Sequence, residues 1–178
     1  MSLEVTNSLK GALGELYYKE GCDQKGWAYI SLDNIKLKDD RILQFKKGSH
    51  NIHIKIMESI IPEIKEMCKP ASNSPENPGF VFDYLACKVG QRDRYDGAIV
   101  ANPTALCWVK IKTGRSRFSR SQVDALEQIK LPLALFSIND VLASPRKIEV
   151  EWDIRSGEDW LNELDDLRDQ TEYDDEYF

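Results

Sequence analysis

Long apolar runs are missing from this chain. None approaches the ~20 residues that a membrane-spanning helix needs. The amino end does not join a basic stretch to an apolar one, as a secretion signal would. A cytoplasmic protein without membrane contact is expected. Cysteine is scarce: Cys22, Cys68, Cys87 and Cys107 show no C-x-x-C spacing, and the last two fall in apolar runs. Free, buried thiols in a reducing compartment fit this pattern better than disulfides or thiolate metal ligands. Histidine is scarcer. His50 and His53 stand three apart with no acidic motif beside them, so no histidine metal centre is expected. Internal repeats are absent.

The chain's 178 residues suit one domain with a real core. A hydrophobic content of 42% and a charged content of 30% describe a soluble globular protein. The net charge of −6 is uneven. Between Lys88 and Arg120 eight basic residues face two acids, Asp93 and Asp96. Between Glu158 and Glu176 ten acids face one arginine. A local basic field in an acidic protein is the footprint of contact with nucleic acid.

Residues 6–20 read as a helix with Leu9, Leu13, Leu16 and Tyr17 on its apolar face and Gly21 as its stop. A strand, GWAYISL, follows. Residues 49–69 carry a helical stripe of isoleucines broken near Pro62, although Ile52, Ile54 and Ile56 alternate like a strand; a helix is favoured. Residues 70–79 form a loop. Three strands, 80–89, 95–101 and 105–113, are expected as antiparallel neighbours joined at GQRDR and NPT. A helix over 119–130, a buried strand over 131–138, a strand over 147–154 and a short helix over 158–167 complete the order. One domain, 1–168, with an insertion about 36–79, is expected to precede a disordered acidic tail, 169–178.

The segment YDGAIVANPTALCWVKIKTGRSRFSRSQ carries the chemistry. Lys110 and Lys112 lie two apart, so both side chains leave one strand face. Asp96, on an antiparallel neighbour, is expected to share that face. An acid and a lysine so placed can hold a divalent ion and steady phosphate charge.

The ordered set KGALGELYYKEGCDQKGW, YDGAIV, VKIKTG and RSRFSRSQ resembles the PD-(D/E)xK nuclease superfamily, in particular its Holliday-junction-resolvase-like and restriction-endonuclease-like members. The resemblance covers roughly residues 8–138. It implies an α/β fold, a mixed sheet of about five strands flanked by helices. It implies a Mg²⁺- or Mn²⁺-dependent DNA endonuclease working by metal-activated water attack. Asp96, the Ile111 carbonyl and Glu15 would bind the metal. Lys112 would stabilise the attacking water or the phosphoryl oxygens, and Gln122 would support the site. Arg92, Arg94, Arg115, Arg117 and Arg120 would contact duplex or branched DNA, with a second copy of the chain as a further partner. Lys110 stands where the family carries an acid. That departure implies weak turnover, or a catalytically silent module that keeps the fold and binds nucleic acid.

Simpler roles remain open beside these. Asp96 before Gly97 suits a turn, and Glu15 a solvated helix face. Ser119 and Gln122 spell S-x-x-Q, a capping box. The acidic carboxyl end would suit a protein-interaction domain.

Overall fold

The computed structural model describes residues 7–37, 41–70, 79–95, 97–113, 118–139 and 149–175. Helix α1 spans Asn7–Lys25. It passes through Gly21 and stops at Gly26, whose φ of +74° suits a residue without a Cβ. Its inward residues are Gly14, Tyr18 and Cys22, not the leucine stripe; Leu9 and Leu16 are 49% and 62% exposed. Close approach decides this. A Cβ on Gly14 would stand 3.0 Å from Thr113 and 3.1 Å from Ile111, so the glycine face is the one that fits against the sheet.

Strand β1 (Trp27–Ser31) is followed by β2 (Ile42–Lys47) and β3 (His50–Lys55). The expected helix over 49–69 is therefore half strand. The Ile52, Ile54, Ile56 alternation prevails because β2 offers a partner, pairing Leu43 with Ile54 and Phe45 with Ile52. Only α2 (Ile61–Met67), with Pro62 in its first turn, is α-helical there. Strands β4 (Tyr84–Tyr95) and β5 (Ala98–Thr113) replace the three strands expected. They run through GQRDR and NPT with register shifts near Val89. The tight connection falls instead between the paired Tyr95 and Ala98, where Gly97 has φ +81°.

Helix α3 (Arg120–Gln128) crosses over to β6 (Leu133–Asn139), which lies parallel to β5. Strand β7 (Glu149–Arg155) returns antiparallel, and α4 runs Gly157–Asp175. That helix occupies residues 169–175, read from sequence as a disordered tail. No helix among the described residues is long and apolar enough to cross a membrane.

The fold is mixed α/β, with seven strands rather than about five, in the order β3-β2-β1-β4-β5-β6-β7. A further parallel pairing of β3 with β5, at Ile54 and Ala101, closes the first five into a barrel. Side chains alternate between two cores. Phe45, Ile54, Leu85 and Trp108 pack within the barrel and toward α3 and α4. Tyr18, Tyr84, Val109 and Phe136 pack between the sheet and α1. The four cysteines are free, and Cys22, Cys87 and Cys107 are buried; burial pushes each of those thiols up to about 12.

Two contacts seat the flanking helices. Glu63 of α2 is buried and accepts hydrogen bonds from the Trp108 indole N–H at 2.9 Å and from the backbone N–H groups of Lys130 and Leu131 at 2.8 and 3.1 Å. Gly157 opens α4 against α3, where an added Cβ would fall 2.2 Å from the Leu126 carbonyl oxygen. Gly157→Ala is accordingly expected to cost about 1–3 kcal/mol through overpacking. Urea unfolding measures it, and an unchanged midpoint would show that α4 can shift freely.

Candidate functional site

The β4–β5 ladder sets the site. Tyr84 pairs with Val109, so the residue before Tyr84 stands opposite Lys110. That residue is Asp83, and its backbone N–H donates to the Val109 carbonyl at 2.9 Å. One carboxylate oxygen faces the Lys110 ammonium at 3.4 Å; the other accepts the Ile111 backbone N–H at 2.7 Å. Both side chains of the ion pair are largely withdrawn from water, 17% exposed for Lys110 and 29% for Asp83.

Lys112 leaves the same strand face and donates to the Gln122 side-chain oxygen at 3.1 Å. Its ammonium lies 5.5 Å from the centre of the Phe118 ring, a cation–π distance. Burial, and then the charge of Lys110, hold the Lys112 pKa below its ordinary value, opposed by Asp83. Gln122 is buried and does two things at once. The oxygen that receives Lys112 also accepts the Ser119 backbone N–H at 3.0 Å, which completes the capping box of α3. Capping and site support are thus one arrangement.

The remaining sequence-derived residues are scattered. Asp96 lies outside the described residues. Its neighbours Tyr95 and Ala98 pair at the opposite end of the ladder, roughly 40 Å along the strand from Lys110 at about 3.3 Å per residue. The carboxylate beside the lysines is Asp83, in the FDYLA segment, and sequence reasoning missed it. At Ile111 the backbone N–H donates to that carboxylate. Glu15 is exposed, and α1 packs on the Ile111 side of β5, opposite the lysines. Among the described residues it forms no ion pair or hydrogen bond with Asp83, Lys110 or Lys112. Arg92 and Arg94 are exposed on the distal part of β4, paired with Ala101 and Ile99. Arg120 is exposed at the start of α3, and Arg115 and Arg117 lie outside the described residues. Among the described residues, Arg92 and Arg94 thus lie on a different part of the sheet from Lys110, Lys112 and Arg120.

This donor set does not fit Mg²⁺ or Mn²⁺. Such ions take carboxylate and water oxygens. Asp83 has both oxygens engaged, and the Lys110 ammonium stands where a cation would approach. No group of three or more metal-ligating His, Cys, Asp or Glu side chains occurs among the described residues. Among the described residues the cluster sets two lysines against one carboxylate, a balance that favours an anion.

No known family model, curated protein or solved structure matches this chain.

Proposed function

We propose that this chain is a catalytically silent nucleic-acid-binding module on a restriction-endonuclease-like scaffold, with Lys110 in the place of the second acid. The carrying observation is the 3.4 Å pairing of Lys110 with Asp83 beside Lys112. Where a metal-dependent nuclease needs two carboxylates to hold an ion, this cluster presents its own fixed cation. The element order supports the scaffold. Helix α1, strand β1, then β4 and β5 in place of three expected strands, then α3 and β6 follow the order that the resemblance implies in all but that strand count, and β2, β3 and α2 fill the insertion.

The residues then divide the work. Asp83 anchors Lys110 and ties down the β5 backbone at Ile111. Gln122 aims Lys112, and Lys112 and Arg120 would meet phosphodiester oxygens. Such contacts position nucleic acid without reading its sequence.

The test is duplex and branched DNA binding by fluorescence anisotropy across a salt series, together with plasmid nicking in Mg²⁺, Mn²⁺ or EDTA. Expected are binding that weakens with salt, a slope of about −0.9 per phosphate contact, and no cleavage in any buffer. The Lys112→Ala, Arg120→Ala double variant should make the duplex slope shallower. Cleavage by the parent that EDTA abolishes, or no binding at low salt, would overturn the reading.

A further inference from the structure

The opposite side of the barrel carries a second feature. A cavity of about 590 Å³ opens on the outer face of β1, β2 and β3, bounded by α1 and by the segment after β1. Lys19, Lys36 and Lys46 line it, with His53 at β3 and the rings of Tyr29 and Tyr84 as its floor. Among the described residues no aspartate or glutamate lines it. None of the three lysines forms an ion pair among the described residues.

We propose that this cradle binds a short stretch of single-stranded nucleic acid, with its phosphates on the three lysines. The polymer rests on the nucleic-acid reading above; the surface and the strand form are new. Four observations carry it.

Charge is the first. In a chain of net charge −6, three lysines without an ion pair among the described residues converge on one concavity. Phosphates are the polyanions that such a field draws in. Size is the second. A cavity of about 590 Å³ is on the scale of small ligands and nucleotides, and a stiff duplex cannot bend into it; a single strand can turn its nucleotides inward.

The floor is the third. Burial raises the Tyr29 phenol pKa, with Asp23 and Cys22 adding to it; burial raises that of Tyr84, helped first by Glu15 and then by Asp83. Both rings therefore keep their hydroxyl protons. Gln44 and Asn51 at the rim, with Asn34 beside Lys36, supply amides of the kind that bond base edges. Their polar groups and the apolar ring faces together suit a nucleotide better than a bare inorganic anion.

Topology is the fourth. The barrel closes in the ring order β1-β2-β3-β5-β4, with α2 between β3 and β4. Small five-stranded barrels present the outer face of their second and third strands to oligonucleotides, and this cavity is lined by β2 and β3. That correspondence is an analogy of fold. The cradle is separate from the Lys110–Lys112 cluster, because Tyr84 and the lysines of β5 belong to opposite faces of the sheet.

The experiment is anisotropy of a labelled oligo(dT) of about eight nucleotides, within the usual range of site sizes, on the full chain. It compares the parent with a Lys19→Ala, Lys36→Ala, Lys46→Ala variant and with the Lys112→Ala, Arg120→Ala variant, each checked for an unchanged melting curve. The triple variant is expected to lose at least about tenfold in oligo(dT) affinity at low salt, with the salt slope shallower by about 0.7 per contact removed. Its duplex binding should stay as in the parent. Unchanged oligo(dT) affinity in the triple variant overturns this proposal and leaves the duplex reading standing. Loss of oligo(dT) binding in the triple variant, with duplex binding indifferent to Lys112 and Arg120, supports the cradle and overturns the other site. No binding of either form removes both.

Discussion

Replacing Glu63 with alanine is expected to lower stability by about 3–5 kcal/mol, the usual cost of stripping one partner from a buried charged network. For a chain of this size that is a fall in melting temperature of roughly 10 °C. The substitution orphans the Trp108 indole N–H and the backbone N–H groups of Lys130 and Leu131 in one step. These donors come from β5 and from the turn between α3 and β6, so the loss loosens α2 from both. Glu63→Gln separates the contributions. One side-chain oxygen accepts from Trp108 and Leu131 and the other from Lys130, so the amide keeps two of the three bonds. It should cost about half as much. Thermal and urea unfolding measure both, and an alanine variant as stable as the parent would show that water replaces the carboxylate without loss.

Lys110→Glu is expected to change the site most. It removes the cation that pairs with Asp83 and sets a second carboxylate near the first. In EDTA the variant should melt below the parent, because two nearby carboxylates disfavour joint ionisation. In MgCl₂ it should recover, because two strand carboxylates can share a divalent ion. At a Mg²⁺ concentration about 100-fold above Kd the gain is about 2.7 kcal/mol, several degrees for this chain. The parent should show no such response, and adding Asp83→Ala to the variant should erase it. A parent that is stabilised equally by Mg²⁺, or a Lys110→Glu variant indifferent to it, would show that Lys110 does not occupy a cation's place.

Much of this arrangement was legible in the residues, though not all of it was read. Period and composition located α1, β1, α3, β6 and β7, because each carries an apolar run or an apolar period of suitable length. The ladder went wrong at its turn. Asp96-Gly97 is a strong short-hairpin signal, yet GQRDR and NPT drew the turns instead. Counting back from the Tyr95–Ala98 pair, partner numbers move one for one, with one local shift made good. Position 83 then falls opposite 110. Once the turn is placed, Asp83 is readable as the partner of Lys110. The inward face of α1 was not readable in the same way. Its leucines make the stronger apolar stripe, and only contact with Thr113 and Ile111 shows that the glycine face is the one that fits. The cradle was invisible for a related reason. Lys19, Lys36, Lys46 and His53 are far apart in the chain, and the curl of the barrel gathers them.

A sheet rolled shut through β3 and β5 offers other chains few places to add a strand. Among the described residues β7 is the strand with a hydrogen-bonded neighbour on one side only. Its sequence, EVEWDIR, places an acid at every second position and ends in Arg155, which Asp153 and Glu163 hold at 2.7 and 2.8 Å. Charged edge strands resist pairing with their own copies. Strand-by-strand polymerisation of the folded chain is thereby confined to an edge that carries its own repulsion, and any wider route requires the Ile54–Ala101 seam to part first.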